Sequence, residues 1–473
     1  MTQDTEQAPA LPRVATGIPG LDEVTGGGFL KSGVYILQGS PGAGKTILAN
    51  QIAHRHAAGG GHVVYVTLLA ESHARLMQHM QPFSFFDLSA MPERVYYVSA
   101  FNALQKGGLP EVVKLLRGEI RAHSAGLLVL DGLVMAASAA ASDEALKLFV
   151  SDVQAHSTLT GCTTLLLTSD DADRPVSPEH TMVDGIVLMR EIAYGPYRQR
   201  NLEVVKFRGS RTLRGNHNFQ IGPDGIVVYP RLEAARRKSP GDAVVPVAVS
   251  SGIDSVDRMF DIGGFPKGGI TVIHGPSGAG KTSMALHFLA RASEQQRALY
   301  MGFYESPEFL ARIGGMLGLD PMGTLSSPAV DYLWIPFGDN LLDGMAAQLF
   351  DRLASTGATR LVIDGMGGFQ AAPAFPERRA GFLTSLANEL RRRQVTTVVT
   401  IEEPGVGGPP PVEAPGLSAL ADTVVNMRVT NDESVRRFAW IGKCRASRCD
   451  LRVREVLLGP NGLRLREEPS VAP

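Results

Sequence analysis

The octamer Gly39-Ser40-Pro41-Gly42-Ala43-Gly44-Lys45-Thr46 returns nearly unchanged as Gly275-Pro276-Ser277-Gly278-Ala279-Gly280-Lys281-Thr282. Both copies fit G-x-x-x-x-G-K-[ST]. In that pattern glycines let backbone N–H groups close on phosphate oxygens, the lysine reaches the β- and γ-phosphates and the hydroxyl binds Mg²⁺. Each octamer follows an apolar run of strand formers, Val34-Tyr35-Ile36-Leu37 or Ile270-Thr271-Val272-Ile273. Each precedes a helical pattern, with Ile47, Leu48 and Ile52 in one case and Met284, Leu286 and Phe288 in the other. Strand, loop and helix form the context this chemistry requires, so a glycine-rich surface turn is the poorer reading. Two sites for ATP with Mg²⁺ are expected.

Aligned on the octamers, the two halves share more. Thr16-Gly17-Ile18 matches Ser251-Gly252-Ile253, Asp22 matches Asp257, and Gly27-Gly28-Phe29 matches Gly263-Gly264-Phe265. Such long-range self-similarity marks a tandem duplication. With 473 residues, the chain is long enough for two large domains. The expected organisation is a loose tail over 1–12, a first domain over 13–232, a linker over 233–246, a second domain over 247–467 and a tail over 468–473. Arg236, Arg237, Lys238, Pro240 and Gly241 give the linker its composition.

Within each half, short apolar strands alternate with helical stretches, which predicts an α/β fold, a mainly parallel sheet with helices on both faces. The predicted strands are Val34 to Gln38, Val63 to Thr67, Leu127 to Asp131, Thr163 to Thr168 and Gly185 to Met189. The second half repeats them at Ile270 to His274, Leu299 to Phe303, Leu361 to Asp364, Thr396 to Ile401 and Thr423 to Met427.

A formal net charge of −1 exerts no global pull toward nucleic acid or anionic lipid. Cys162, Cys444 and Cys449 lack metal-type partners and fit a reducing cytoplasm. Met1 to Pro12 has neither a basic start nor an apolar core, so it does not read as a secretory signal. The most apolar long stretch, Ala125 to Ser142, contains Asp131 and reads as a buried strand plus loop, not a membrane span.

Functional groups of such sheets gather at the carboxyl ends of strands. Asp131 and Asp364 end apolar strands there, where a carboxylate can hold Mg²⁺ opposite Thr46 or Thr282. Hydrolysis needs a group that orients water, and Glu71 and Glu305 follow equivalent strands; a Glu favoured by a helix start is the competing reading. Late in each half come Lys206-Phe207-Arg208-Gly209-Ser210 and Lys443-Cys444-Arg445-Ala446-Ser447. In a strand, Lys206 with Arg208, and Lys443 with Arg445, project together as a cationic fork suited to a triphosphate, delivered to a neighbouring subunit. The bland alternative is alternating charge on an exposed edge.

Taken together, the chain resembles the KaiC branch of the RecA-like P-loop ATPases over Val14 to Leu232 and Val247 to Arg466. The resemblance rests on Thr16 to Asp22, the paired glycines, both phosphate loops, both strand-end aspartates and Lys206 to Ser210. It implies homo-oligomeric double rings, typically hexamers, with ATP between subunits, regulatory protein partners, and a serine/threonine autokinase in some members. Three features depart from the family pattern. The family's water-activating glutamate is replaced by Ala70 and Tyr304, its Ser-Thr acceptor pair by Ser418 and Ala419, and a glycine by Ala446.

Slow hydrolysis, or a nucleotide-binding scaffold with little turnover, follows from those departures. A DNA-handling ATPase is the alternative by fold analogy. Its DNA-binding loops would be basic, whereas Leu133 to Ser142 is small and uncharged and Ser169 to Asp173 is acidic. Arg391-Arg392-Arg393 reads as a solvated helical face. Nucleic acid and membrane are therefore not expected partners.

Overall fold

The computed structural model describes residues 11–70, 73–169, 178–235, 247–320, 322–338, 340–402, 421–431, 434–445 and 447–466. The chain divides into two compact units, Met1–Ala235 and Arg236–Pro473. Most of the expected linker and tails lies outside the described residues.

Each unit is built on a nine-stranded sheet. In the first, the parallel part runs Gly185–Tyr194, Val34–Gly39, Thr163–Ser169, Leu127–Asp131, Val63–Thr67, Val95–Ser99. In the second it runs Thr423–Asn431, Ile270–Gly275, Thr396–Glu402, Arg360–Asp364, Ala298–Gly302, Val330–Trp334. Each phosphate-loop strand is therefore internal, flanked by parallel partners on both sides.

The period of two sorts these strands between two cores. Tyr35, Leu37, Val63, Tyr65, Leu127 and Val129 pack with the helix Lys45–Ala58. Val34, Ile36, Val64, Val66, Leu128 and Leu130 pack on the other face with the helices Phe101–Ala122 and Asp143–Thr160. A strand buried on both faces has no polar alternation, hence the near-continuous apolar runs. These are tandem RecA-like domains, each a mainly parallel sheet between helices, as the alternation predicts.

Two features depart from the expected pattern. The strand starting at Gly185 extends to Tyr194 and turns back into Tyr197–Phe207, His217–Gly222 and Gly225–Tyr229, an antiparallel wing. Val435–Cys444, Arg454–Gly459 and Gly462–Leu465 repeat it in the second unit. Polar residues face out along these strands, so their apolar signal is weak. The expected loop after Asp131 instead forms the helix Leu133–Ala139, starting from Gly132 at φ 99; its small residues include several alanines, the best helix formers.

Several shared motif residues brace the backbone. Asp22 accepts from the Thr16 amide at 2.8 Å, the Thr16 hydroxyl at 2.7 Å and the Gly17 amide at 3.2 Å. Asp257 accepts from the Ser250 hydroxyl at 2.6 Å and the Ser251 amide at 2.8 Å. Asp184 and Asp422 each accept, at 2.9 Å, the first amide of the phosphate-loop strand, from Val34 and Ile270. The arginines of the cluster are ion-paired within the unit, although Arg392 is exposed. Arg391 is paired with Asp422, while Arg392 and Arg393 hold the buried Glu389.

Candidate nucleotide sites

Gly39 ends the first phosphate-loop strand and Lys45 opens the helix Lys45–Ala58; Gly275 and Lys281 do the same around Lys281–Leu289. The intervening turns demand glycine for its backbone. Gly42 and Gly44 have φ 81 and 99, and Gly278 and Gly280 have 75 and 101. A Cβ added at Gly42 or Gly278 would meet nothing within 4 Å, so these glycines face open space and not packed neighbours. Ser40, Pro41, Gly42, Ser277 and Gly278 are exposed, whereas Ala43 and Ala279 anchor the turns in the core and Pro276 is buried. The helices start at Gly44 and Gly280 without a side-chain cap. Their first N–H groups are thus available to an anion, with the dipole adding to the attraction.

The Lys45 amine lies over its loop, donating to the Gly39 carbonyl at 2.7 Å and the Ser40 carbonyl at 3.1 Å. Lys281 donates to the Pro276 carbonyl at 2.8 Å. The Thr46 hydroxyl donates to Asp131 Oδ2 at 3.1 Å, and the Tyr65 hydroxyl donates to the same oxygen at 3.0 Å. These oxygens match what Mg²⁺ prefers, a hydroxyl and a carboxylate side by side. In the second unit the Tyr300 hydroxyl repeats the tyrosine contact on Asp364 Oδ2 at 2.9 Å, and the Thr400 hydroxyl donates to Oδ1 at 2.5 Å. Burial and the neighbouring aspartate push the Tyr65 and Tyr300 hydroxyls up, so both remain donors.

Glu305 sits three residues beyond its strand, just before the Ser306 cap of the helix Pro307–Met316. Burial, then the charge of Asp364, push its carboxyl up, which brings the two acids into one electrostatic site. Tyr304 is 61% exposed and lies across the turn after Asp364, its hydroxyl 3.0 Å from where a Gly367 Cβ would stand. Its ring meets Phe337 edge-on at 4.9 Å. Ala70 is exposed in the first unit, while Glu71 and Ser418 lie outside the described residues.

Lys206 and Arg208 do point the same way. The Lys206 amine donates to the His180 carbonyl at 2.9 Å and the Thr181 carbonyl at 3.2 Å, and Arg208 donates to the Thr181 carbonyl at 3.2 Å. Burial, then the nearby Arg208, lower the Lys206 ammonium from its ordinary value. Both forks follow a break in strand register, between Ile186 and Val187 and between Val424 and Val425, beyond which Lys206 pairs with Ile186 and Lys443 with Val424. The amides of Arg208 and Arg445 donate to Asp184 and Asp422 carbonyls at 2.8 and 2.9 Å.

One contact was not legible beforehand. Arg437, on the antiparallel wing, donates through Nε to the Gly278 carbonyl of the second phosphate loop at 2.8 Å. Only the wing's return beside the loop brings it there, and no motif spacing signals it. The wing also backs both loops, with Ile221 and Ile226 near Gly44 and Leu463 near Gly280.

Among the described residues no helix is long and apolar enough to cross a membrane. The family model for the KaiC ATPase matches residues 14–233 and again 249–470. The circadian clock oscillator protein KaiC of Parathermosynechococcus lividus is 22% identical over 98% of this chain and 87% of its own length. The circadian clock protein KaiC2 of Synechocystis sp. is 24% identical over 98% of this chain and 83% of its own. KaiC3 of the same organism is 22% identical over 97% and 93%. With both units matched and the two phosphate loops built alike, the chain belongs to the KaiC family of ATPases.

Proposed function

We propose that both units bind ATP with Mg²⁺ and that the protein is a nucleotide-regulated ring assembly with slow hydrolysis. The carrying observation is the uncapped helix start directly behind each open glycine turn, with Thr46 already against Asp131 in the first unit. Thr46 with Asp131, and Thr282 with Asp364, would hold Mg²⁺, which neutralises phosphate charge when bound. Lys45 and Lys281 exchange loop carbonyls for phosphate oxygens. The N–H groups of residues 42–46 and 278–282 take the remaining oxygens.

Glu305 is the group in the second unit suited to orient and deprotonate water. Its raised affinity for protons makes it a stronger base than an exposed carboxylate. Tyr304 and Ala70 supply no carboxylate at the family's base position, which supports slow turnover. Glu71 would serve the first unit in the same way. The forks Lys206–Arg208 and Lys443–Arg445 would reach a neighbouring subunit's triphosphate, so ATP stabilises a homo-oligomer, by family precedent a hexamer. A cytoplasmic setting, regulatory protein partners and a role in signalling belong to the same reading, and Ser418 is the candidate acceptor for a serine/threonine autokinase reaction.

Phosphate release by the wild type beside Lys45→Ala, Lys281→Ala and Glu305→Gln, with light scattering in the presence and absence of ATP, tests this reading. ATP-dependent growth in mass with slow release supports it. Folded protein that binds no ATP rejects it. Tight binding and assembly with no release at all favours the scaffold reading, for which Ala70 and Tyr304 speak.

A further inference from the structure

The second unit's wing is far more basic than the chain as a whole. Between 423 and 466 it carries ten lysines and arginines against four acids, in a chain of net charge −1. Strand register divides these residues between two faces. Val425, Met427, Ala439, Ile441 and Val456 pack on the core with the helix Lys281–Leu289. The alternate residues make the opposite face, where Asn426 pairs with Trp440, Arg428 with Phe438 and Thr430 with Arg436. Phe438 also pairs with Glu455, and Leu457 with Arg464. On this face Arg428, Arg436, Arg464 and Arg466 are exposed, and Phe438 and Trp440 are half-buried. The Arg436 guanidinium lies over the Phe438 ring at 5.1 Å. Glu455 is already neutralised, ion-paired with Arg436 at 2.9 Å and Arg466 at 2.5 Å. Arg428 and Arg464 have neither an ion pair nor a hydrogen bond among the described residues.

The duplication supplies an internal comparison. By register, Gln199, Asn201 and Asn218 occupy the positions of Arg436, Phe438 and Glu455, and Glu203 that of Trp440. Val227 and Tyr229 stand where the second unit has Arg464 and Arg466. The three amides are buried and close on one another, Asn218 donating to Gln199 Oε1 at 3.1 Å and to Asn201 Oδ1 at 3.0 Å. The first unit thus seals this face with neutral groups, whereas the second opens it with rings set among positive charges.

We propose that this outer face of the second wing binds single-stranded nucleic acid, its bases stacked on Phe438 and Trp440 and its phosphates on Arg428, Arg464 and the arginines beside them. Every unpaired base has a flat face for a half-buried ring, and guanidinium groups around the rings meet the backbone without regard to sequence. A duplex keeps its bases stacked inside and leaves the rings nothing to cover. An acidic polypeptide would answer the charge but not the rings. Whole-chain charge conceals the site, because Arg428, Arg436 and Arg464 come from three different strands. It lies across the sheet from the phosphate-loop helix, so it goes beyond the nucleotide-binding reading and does not depend on it.

The test follows the fluorescence anisotropy of a labelled oligothymidylate of about 20 nucleotides titrated with the full-length chain, with and without ATP. Binding should weaken steadily as salt rises from about 50 to 200 mM, the logarithmic slope falling by about 0.7 for each phosphate-contacting arginine removed. Arg428→Glu with Arg464→Glu should weaken binding at least about tenfold, and Phe438→Leu, which keeps an apolar side chain but no ring, about fivefold or more. Arg190→Glu, at the first-unit position of Arg428, should change nothing. Thermal unfolding identical to wild type identifies the Arg428→Glu, Arg464→Glu variant as folded. Absence of binding at low salt, equal affinity for a duplex of the same length, full competition by polyglutamate, or indifference to both the arginine and the Phe438→Leu variants would each overturn the proposal.

Discussion

The two phosphate loops agree closely in backbone, yet the side chains around them do not. A tyrosine holds the aspartate in both, but Thr46 bonds Asp131 whereas Thr400 bonds Asp364, and Thr400 stands where the first sheet has Leu167. Removing either lysine should abolish nucleotide binding in its own unit alone. In a titration followed by calorimetry, Lys45→Ala and Lys281→Ala should each lower the stoichiometry from two nucleotides per chain to one. Glu305→Gln keeps shape and binding but loses the base, and should slow phosphate release from the second unit by about 10²-fold or more. Measuring it in the Lys45→Ala background isolates that unit. An unchanged rate there would move the base elsewhere. Glu305 was legible from its place after a strand; its proximity to Asp364 was not, because it depends on parallel strands placing their ends side by side.

At the scale of elements, the phosphate-loop helix is tied to the last hairpin of its own unit. Gln51 holds the Ile226 amide at 2.7 Å in the first, and His287 Nε2 accepts the Leu463 amide at 2.8 Å in the second. Burial, then Arg291, hold His287 at about 4, and burial holds His54 at about 4, both below the ordinary 6.5. The folded state thus prefers neutral imidazoles, while the unfolded chain takes up protons below about 6.5. This stabilisation is complete above about 6.5 and is lost as the pH falls toward 4. Denaturant midpoints at pH 7, 5.5 and 4.5 should fall in that order. His287→Gln, the residue the first unit uses, should flatten the second unit's share. The Asp22 staple is also open to test. Asp22→Ala removes three hydrogen bonds from one loop and should cost about 1–3 kcal/mol in the first unit's unfolding.

For the whole molecule, two units with separate cores should unfold as two transitions, each raised by its own ligand. ATP at about 100 times its dissociation constant should add about 2.7 kcal/mol to each unit it occupies. Lys45→Ala should erase the shift of one transition in calorimetric scans and leave the other. The repeat, the strand–loop–helix units, the aspartate positions and the family all follow from the sequence by itself, because local backbone demands and apolar periodicity are written residue by residue. The helix after Asp131 was hidden by a run of small residues that reads equally as loop. The antiparallel wings were hidden by strands with one polar face and by partners met only after a turn. What only the tertiary structure decided is which distant side chains share a site: Arg437 on the second phosphate loop, and Glu305 within the field of Asp364. Those meetings depend on strand order and register, which arise from packing two faces of a sheet at once and leave no mark in the spacing of the residues themselves.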